Sequence, residues 1–548
     1  MSRRIASRLK ITGRLVACGP LHIGGANGNA DVDLALAENG NGQLYVPGTS
    51  LAGPLRAWLL QQVDTNAGEA RREWQKKIDG IWGFQEPGEA GGESKGIASF
   101  VIVEDGLVKL PAGAAIETRD GVGIDRVTGA AATHVKYNRA VLPAGSEIEF
   151  EMTVEIEERN STARSHLIAA LQALQRGEIR FGASKTRGLG KVTLKDRIVR
   201  EQHLLSFGGM LNALRGNDEA LDAKDLITQL LPGAPTLHVK IDWAPRGPLM
   251  VKAERDGVAV DMLPLVSAKG SDLTFVLPGS SIKGALRNQA ERIVRTVSGI
   301  SAPMQKNDRK NFMRQIEMRG ARNESQGDVE TPAQSLIGGL FGAAGKTEAK
   351  DKRIPEEGPP LLGLGALTVE DCYAEPRFSP GQWEAVESAS DADDVQIRKE
   401  SPLQQALQNA GLAQMQQAFH VAIDRWTGGA ADGFLYTTLE PHGVAWEPMR
   451  LTLNLARLRE EDHRPAVMCL LLTLRDLMNG RISIGFGTNR GMGAIKVTDV
   501  EITATNIEDE LNDLNDVKII DGKLGGWSER LKTCLESEWK KLSGGEER

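Results

Sequence analysis

The sequence predicts an α+β fold that is built from two tandem copies of one module. Two observations predict it. Four sequence landmarks recur in the same order along the chain, and in both copies apolar strand-like segments alternate with amphipathic helical segments. Repeats are examined first because an overlooked repeat leads to the wrong architecture. At 548 residues the chain is long enough to hold two such modules.

The landmarks are short segments of the first half that match segments of the second half. They are LYVPGTSLAGPLRAWLL (44–60) with FVLPGSSIKGALRNQAERIV (275–294); IWGF (81–84) with LFGA (340–343), followed by FVIVED (100–105) with ALTVED (366–371); VGIDRVTGAA (122–131) with VAIDRWTGGA (421–430); and RFGASKTRGLGKV (180–192) with ISIGFGTNRGMGAIKV (482–497). Chance does not produce four ordered matches of this length, so the halves are homologous modules.

The spacing of the landmarks indicates where the copies differ in length. From Asp125 to Arg187 there are 62 residues, and from Asp424 to Arg490 there are 66. Between the earlier landmarks the second copy is longer, first by 28 residues and then by 40. The extra residues fall in polar stretches that contain Gly and Pro, as is typical of surface insertions. These stretches lie around 300–332, 346–360 and 374–412.

Both copies predict the same order of elements. The hydroxyls of Thr49, Ser50, Ser280 and Ser281 are expected to cap a helix that follows an apolar strand. A second amphipathic helix ends at Gly177 or Gly480, and a strand is expected to lead from it into a glycine loop. Strand, helix, strands, helix, strand is the order of a ferredoxin-like (RRM-like) unit.

The repeat also predicts the domain boundaries. We expect a first module over residues 1–200, a linker over 201–235 and a second module with insertions over 236–505. Residues 506–548 are expected to form an acidic helical tail with a helix at 527–542.

The charge, the cysteines and the apolar segments of the chain limit the functions that it can have. The net charge is −7, but residues 185–200 carry six Lys or Arg and one acid, and 281–322 carry ten against three. Such segments are typical of basic patches that bind nucleic acid, and equally of solvated helix faces. The four cysteines form no CxxC pair, which argues against zinc and favours a reducing cytoplasm. No apolar run is long enough to span a bilayer, and the N-terminal segment lacks a secretory signal.

The two glycine loops are the clearest chemical feature. Glycines allow a backbone to approach a phosphate closely, and neighbouring basic side chains supply charge and hydrogen bonds. The alternative is a tight turn with surface arginines, which the repetition of the loop makes less favourable. The predicted RNA-binding residues of the loops are Lys185, Arg187, Gly188, Gly190, Lys191, Arg490, Gly491 and Gly493.

The helix starts after each Pro-Gly pair are a second candidate for anion binding. Backbone N–H groups at a helix start attract anions, although plain capping explains the same hydroxyl residues. Arg56 and Arg287 follow within two turns and could contact a phosphate or a partner's carboxylate. Lys283 lies beside them in the second copy, where the first copy has Ala52. These three, with the four hydroxyl residues, complete the predicted RNA-binding set.

Together, PGTSLAGPLR with PGSSIKGALR, the IDRxTGxA segment and the terminal Arg-Gly-x-Gly loop resemble the repeat-associated mysterious protein (RAMP) superfamily. Within it, the chain is most similar to backbone subunits of type III CRISPR–Cas effectors, and the tandem fusion resembles type III-D. The resemblance implies tandem ferredoxin-like RAMP modules in a prokaryotic cytoplasm, which bind CRISPR guide RNA and complementary target RNA. It implies other effector subunits as partners (backbone, cap and large polymerase-like), and thumb hairpins at or after 124–145 and 423–441.

The resemblance also implies target cleavage, because the family carries an Asp between the first strand and the Pro-Gly helix. Asp33 and Asp261 stand at that place, with Asp31 and Asp256 as rivals. The implied activity is that of a metal-dependent endoribonuclease, with Mg²⁺ or Mn²⁺ bound transiently at these carboxylates.

Three functions remain open at this point. The first is a guide-RNA-binding backbone subunit that cuts target RNA, and the second is a structural subunit with inert Asp loops. The third is a nuclease that processes guide precursors through His22, which more often would be a packed strand residue.

Overall fold

The computed structural model describes residues 4–543 except 26–31, 63–67, 87–94, 158–161, 222–232, 303–311, 313–314, 317–331, 344–362, 391–400 and 521. The chain is 32% helical and 36% strand, which confirms the mixed α+β class. It divides into two compact units. The first contains Met1–Pro111, Ala140–Lys185 and Leu189–Ala234, and the second contains Ala112–Arg139, Thr186–Gly188 and Pro235–Arg548.

The strands are β1 Ile5–Ala17, β2 Tyr45–Val46, β3 Phe84–Glu86, β4 Lys95–Ile97, β5 Val101–Val103, β6 Gly106–Lys109, β7 Glu117–Ile124, β8 Ala131–Val141, β9 Glu147–Glu157, β10 Val192–His203, β11 Glu219–Ala220, β12 Thr236–Pro245, β13 Val266–Lys269, β14 Asp272–Leu277, β15 Gly342–Ala343, β16 Gly363–Leu364, β17 Leu367–Val369, β18 Cys372–Tyr373, β19 Met415–Ile423, β20 Ala430–Pro441, β21 Met449–Asn454, β22 Ile495–Thr505, β23 Lys518–Ile520 and β24 Lys523–Gly525.

The α-helices are α1 Gly48–Leu60, α2 Gly68–Trp82, α3 Thr162–Arg176, α4 Phe207–Leu214, α5 Gly279–Ser298, α6 Pro332–Phe341, α7 Pro380–Ser388, α8 Pro402–Asn409, α9 Glu460–Met478 and α10 Glu529–Leu542. Short 3₁₀ turns cover Leu455–Arg457, Thr488–Arg490 and Glu510–Asp516. Among the described residues, no helix is both long enough and apolar enough to cross a membrane.

The first unit is organised around β1. This strand pairs antiparallel with β9 on one side and β10 on the other, and β5 and β6 extend the sheet from β9. Leu9, Ile11 and Leu15 alternate along β1 and are almost fully buried, as expected for a strand with one face on a core. Leu51, Leu55 and Leu59, at helical spacing on α1, belong to the same core.

The second unit repeats this arrangement. Strand β12 lies between β21 and β22, and β17 pairs with the outer side of β21. Its core joins Val239 and Ile241 of β12 with Ile282 of α5 and Leu474 of α9. In both units, therefore, the first long strand lies between the last strand of the module and the strand that precedes its second helix.

The helix ends agree with the sequence, but one strand prediction was wrong. Helix α3 stops before Gly177 and α9 stops just before Gly480, and both glycines have φ near +70°. No strand leads from these helices into the glycine loops, whose residues are all described. Strands β10 and β22 follow the loops instead. The glycines of the loops adopt positive φ values that a strand does not accommodate.

A long hairpin projects from each module. Strands β7 and β8 form the first hairpin, which belongs to the second unit, and β19 and β20 form the second hairpin. The resemblance placed the hairpins at or after the IDRxTGxA segment. The structure shows that they begin earlier, at Glu117 and Met415, and that this segment is the turn between the strands.

The turn chemistry explains why the segment recurs. The Oδ1 atoms of Asp125 and Asp424 each accept hydrogen bonds from two backbone N–H groups of the turn. They also accept one from the hydroxyl of Thr128 or Thr427. Burial raises the pKa of Asp125, but these bonds and one from the side chain of Gln315 outweigh burial, so the net pKa is lowered. The bonds from Thr427 and its neighbour likewise lower the pKa of Asp424.

The segments outside the modules are partly structured. Strand β10 runs past residue 200 to His203, so the expected linker begins inside a strand, and α4 follows it. The helix expected at 527–542 is confirmed as α10. Leu511, Leu514 and Leu531 of the expected tail are buried in the core of the second unit. Of the three insertions, the one around 374–412 contains α7 and α8, while most of the other two lies outside the described residues.

Candidate nucleic-acid interface

The two glycine loops have the same backbone geometry. Three pairs of glycines have positive φ: Gly182 with Gly485, Gly188 with Gly491, and Gly190 with Gly493. A Cβ on Gly190 would lie 2.1 Å from the carbonyl oxygen of Phe181, and a Cβ on Gly493 would lie 2.2 Å from that of Ile484. Only glycine fits such positions, so the repeated glycines are explained by the path of the chain.

Each loop presents one exposed arginine. Arg187 and Arg490 occupy equivalent positions, immediately before the middle glycine of their loops. Neither guanidinium lies within 4 Å of a carboxylate oxygen among the residues that the structure describes. Guanidinium groups of this kind keep donors for an external anion.

Arg490 is held by aromatic side chains. Its Nη1 donates a hydrogen bond to Tyr436 Oη, and its guanidinium carbon lies 5.0 Å from the ring centroid of Phe486 and 5.7 Å from that of Tyr436. The ring of His420, on the neighbouring strand, stacks on Tyr436 with centroids 5.1 Å apart. The second loop and the second hairpin therefore form one surface of aromatic and cationic groups.

Arg187 lies in a concentration of positive charge in the second unit. Burial lowers the pKa of Lys283 well below its usual value, and the charges of Arg187, Arg287 and Arg457 lower it further. Burial also lowers the pKa of Arg139, where Arg187 adds to the effect although Tyr137 opposes it. Clustered cations raise the local potential and attract polyanions.

The helix starts are built differently from the prediction. The N-cap residues of α1 and α5 are Pro47 and Pro278, and neither helix has a side-chain cap hydrogen bond, so the hydroxyl caps were wrong. The hydroxyl residues lie in the first turn instead, where Thr49 is exposed and Ser50, Ser280 and Ser281 are half-buried.

A carboxylate occupies each helix start. Asp105 Oδ1 accepts a hydrogen bond from Gly48 N, and Asp371 Oδ1 accepts one from Gly279 N, both at 2.7 Å. These aspartates end the Glu-Asp landmark, which explains why it recurs in both copies. Because a protein carboxylate already binds the first N–H group, the helix start is a weaker candidate for phosphate than the glycine loop.

The basic residues of these helices are engaged inside the protein. Arg56 pairs with Asp79 of α2 at 2.6 Å. Arg287 donates to Glu291 and to two backbone carbonyl groups, and Lys283 Nζ donates to the carbonyl oxygen of Leu367 at 2.6 Å with 4% of the residue exposed. Lys283 and Arg287 are therefore bound inside the protein and are not presented to an external phosphate.

The two lysines of the first loop are not repeated at the same positions of the second loop. Lys185 and Lys191 are half-buried, and their positions in the second loop are taken by Thr488 and Ala494. The feature that both loops share is thus the exposed arginine between positive-φ glycines.

Asp33 and Asp261 occupy equivalent places. The residue after each aspartate accepts a hydrogen bond, through its carbonyl oxygen, from a backbone N–H group at the base of a hairpin. Ala140 N donates to Leu34 O, and Leu439 N donates to Met262 O, both at 3.0 Å. Both carboxylates are exposed. The structure thus aligns the two aspartates that the sequence singled out.

Asp261 is anchored to the hairpin. Its Oδ2 accepts hydrogen bonds from Thr437 N at 2.7 Å and Thr437 Oγ1 at 2.9 Å. The rival Asp256 lies 3.5 Å from Lys252 Nζ, in an exposed ion pair. Asp31 lies outside the described residues.

The surroundings of Asp33 and Asp261 indicate how a divalent cation could bind to them. In the part of the chain that the structure describes, no three His, Cys, Asp or Glu side chains converge on a possible metal position. Asp33 and Asp261 would each supply one exposed carboxylate, and Mg²⁺ commonly binds one or two carboxylates together with substrate phosphates and water. Asp33 and Asp261 fit a cation that is held jointly with bound RNA.

A family model for the RAMP superfamily matches residues 14–193 and 264–496, which is about three quarters of the chain. The chain belongs to the RAMP superfamily. The two matched regions agree with two tandem RAMP modules. Membership indicates a CRISPR-associated RNA-binding subunit that works with other subunits and RNA. No curated protein matches the sequence significantly.

His22 has a packing role in this RAMP protein. It is 3% exposed, and its Nδ1 lies 2.7 Å from the carbonyl oxygen of Ala140. The carbonyl of His22 accepts a bond from Ala183 N, as that of Met250 does from Phe486 N in the second module. Met250 therefore takes the place of His22, and the position does not require an imidazole.

Two features of the RAMP modules were not predicted from the sequence. One is the capping by Asp105 and Asp371, for which the recurring Glu-Asp pair was the available signal. The other is the pair Tyr137 and Tyr436, each three residues before the hairpin N–H group that binds the Asp loop. Two of the four tyrosines of the chain at matching positions were a signal that spacing counts could have found.

Proposed function

We propose that this RAMP protein is a guide-RNA-binding backbone subunit of a type III CRISPR effector, of the type III-D kind. The observation that carries the proposal is the pair of equivalent glycine loops, each with an exposed arginine that has no carboxylate partner among the described residues. A strand of RNA presents phosphates at regular intervals, so two like sites in tandem suit it better than they suit a single small anion.

The fold supports this proposal. In both modules the first long strand lies between the last strand and the strand that precedes the second helix, an arrangement that a ferredoxin-like unit would have. The hairpins suit the role of thumbs that displace bases. On the second hairpin, Ile423 is 57% exposed, Trp426 is 96% exposed and Phe434 is 62% exposed. Exposed apolar side chains on a projecting element can insert between bases as wedges.

We further propose that Asp33 and Asp261 cleave bound target RNA. An exposed carboxylate can orient the ribose 2′-hydroxyl and the scissile phosphate for in-line attack. Mg²⁺ or Mn²⁺, held with the RNA phosphate, would supply charge stabilisation. The hydrogen bonds from Thr437 hold one oxygen of Asp261 in place, which favours a positioning role over free proton exchange.

A structural subunit with inert loops is the second candidate. It is favoured by the absence of a preformed metal cluster among the described residues. Mapping the cuts in bound target RNA separates the two candidates.

RNA binding by the full chain tests the backbone proposal. Arg187→Ala and Arg490→Ala should weaken binding of guide RNA, and each should reduce the slope of log K against log salt by about 0.7, because one phosphate contact is lost. Arg176→Ala is the matched control, since Arg176 is exposed but pairs with Glu178. Unchanged guide-RNA affinity and salt slope in both loop variants would show that the loops do not bind phosphates.

A further inference from the structure

Four side chains of the second unit form a compact surface beside the second glycine loop. His420 and Tyr436 are cross-strand partners on β19 and β20, and Phe486 and Arg490 come from the loop. The first three are half-buried and Arg490 is exposed. We call this set the aromatic platform.

The contacts of Arg490 leave it available to a ligand. The one hydrogen bond of its guanidinium to a described group goes to Tyr436 Oη, and the faces of Tyr436 and Phe486 provide the remaining support. A guanidinium has five N–H donors, so most of them are not used by the described protein groups. The rings hold the cation in place without neutralising it.

The tyrosine of the platform recurs in the first module. Tyr137 stands at the position of Tyr436, three residues before the hairpin N–H group that binds the Asp loop. The guanidinium carbon of Arg139 lies 5.7 Å from the Tyr137 ring centroid, the same distance as Arg490 from Tyr436. The tyrosine therefore recurs together with the turn landmark, and each module places a cation near its ring, from the hairpin strand in the first module and from the glycine loop in the second.

The modules differ in what lies beside the ring. In the second module the imidazole of His420 stacks on Tyr436 with an angle of 19° between the planes, which extends the flat surface. In the first module Gly121 lies against the ring, because a Cβ built there would be 2.4 Å from Tyr137. The larger platform therefore belongs to the second module.

We infer that the aromatic platform binds one unpaired nucleotide of single-stranded RNA, with the base on the rings of His420 and Tyr436 and the phosphate on Arg490. This inference rests on the proposed RNA-binding function and adds a base-stacking site to it. Aromatic stacking tolerates any base, since each has a flat π-face, and arginine beside the ring supplies charge. The site suits a protein that binds different guide sequences.

The test measures stacking directly. The full chain is titrated with single-stranded RNA oligonucleotides that carry 2-aminopurine at one position at a time, because stacking quenches the fluorescence of this base. The wild-type protein should quench one position strongly. Tyr436→Leu should abolish that quenching and weaken affinity by between about 5-fold and 100-fold at every salt concentration. Tyr436→Phe, which keeps the ring, should retain most of the quenching. Tyr45→Leu, which removes a half-buried tyrosine of β2 outside the platform, is the matched control and should stay within about twofold.

The salt dependence separates this inference from the proposed function. Tyr436→Leu should leave the salt slope unchanged, whereas Arg490→Ala should reduce it. If the wild-type protein binds RNA but quenches no position, the platform is wrong whatever the variants do, and the backbone proposal stands. Wild-type affinity in Tyr436→Leu would likewise overturn the platform alone. If the wild-type chain binds no RNA, both proposals are wrong.

Discussion

At the scale of single residues, the two aspartates are equivalent in position but differ in their surroundings. Asp261 is anchored by both polar groups of Thr437, and the first module has Asn138 at the position of Thr437. Asn138 donates to Glu254 at 3.0 Å. One residue therefore fixes the second carboxylate, whereas its counterpart in the first module has another partner. The two loops should consequently be tested separately.

Single substitutions should remove single cuts. In the assembled complex, Asp33→Ala should reduce one cut in bound target RNA by about 100-fold or more, the size typical of losing one electrostatic group at a reaction centre. Asp261→Ala should do the same to a second cut. Mapping the 5′ and 3′ ends of labelled target RNA measures both. Asp256→Ala is the control and should leave both cuts intact.

The same mapping distinguishes the structural subunit. If the complex binds target RNA and the double variant still cuts at both places, another residue or a sibling subunit cleaves. If the wild-type complex makes no cut, the inert structural role is correct.

Removal of divalent cations tests the proposed ligand role of the aspartates. Chelation should abolish both cuts, and adding Mg²⁺ or Mn²⁺ should restore them. Target RNA should remain bound throughout, because its affinity comes mainly from contacts to the backbone phosphates. Measuring cleavage and retention in one gel-shift experiment gives both results. Cutting that persists in chelator would mean that the carboxylates position the RNA without a metal.

At the scale of elements, the features that the sequence predicted correctly were those with a local or repeated pattern. The helix ends at Gly177 and Gly480 were predicted because a glycine with positive φ is a local signal. The helix caps were not predicted, because the capping aspartates are remote in sequence from the helices. Asp371, for example, is 92 residues from Gly279. Capping by a distant side chain leaves no local pattern. Lys283 was predicted as a surface cation but is buried, because its hydrogen-bond acceptor, the carbonyl oxygen of Leu367, is also remote in sequence.

The two hairpin turns provide a matched pair of sites for a stability test. Asp125 and Asp424 make the same turn bonds, but Asp125 is 2% exposed and its Oδ2 also accepts a bond from Gln315 at 3.0 Å. Asp125→Ala should lower the local stability of its turn by roughly 2–3 kcal/mol, since it leaves buried donors unpaired. Asp424→Ala should cost about 1 kcal/mol. Amide hydrogen exchange at the turns measures both, and equal losses would contradict the role of burial.

At the scale of the molecule, the two hairpins have different environments. The tip of the first belongs to the second unit, where Arg126 Nε pairs with Glu291 of α5 at 2.6 Å. The corresponding residue of the second hairpin, Arg425, is exposed, and Trp426 beside it is 96% exposed. No sequence pattern predicted this difference, because the two turns have nearly the same residues. The exposure of a hairpin tip depends on whether another element packs against it. For the first hairpin that element is α5.

Glu291 is the centre of that contact, so its removal should be far more harmful than removal of a surface carboxylate. Its side chain is 2% exposed and binds both Arg126 and Arg287, whose side chains are 11% and 14% exposed. Glu291→Ala leaves two guanidinium groups without their anion in a region from which water is largely excluded. We expect it to lower the free energy of unfolding of the second unit by roughly 3–5 kcal/mol. Glu461→Ala is the control, since Glu461 pairs with Arg459 at 3.3 Å but is 68% exposed, and it should cost less than about 1 kcal/mol. Thermal unfolding of the two variants measures the difference, with hydrogen exchange over 117–141 reporting on the hairpin itself. A hairpin that keeps its protection in Glu291→Ala would mean that this ion pair does not hold it against α5.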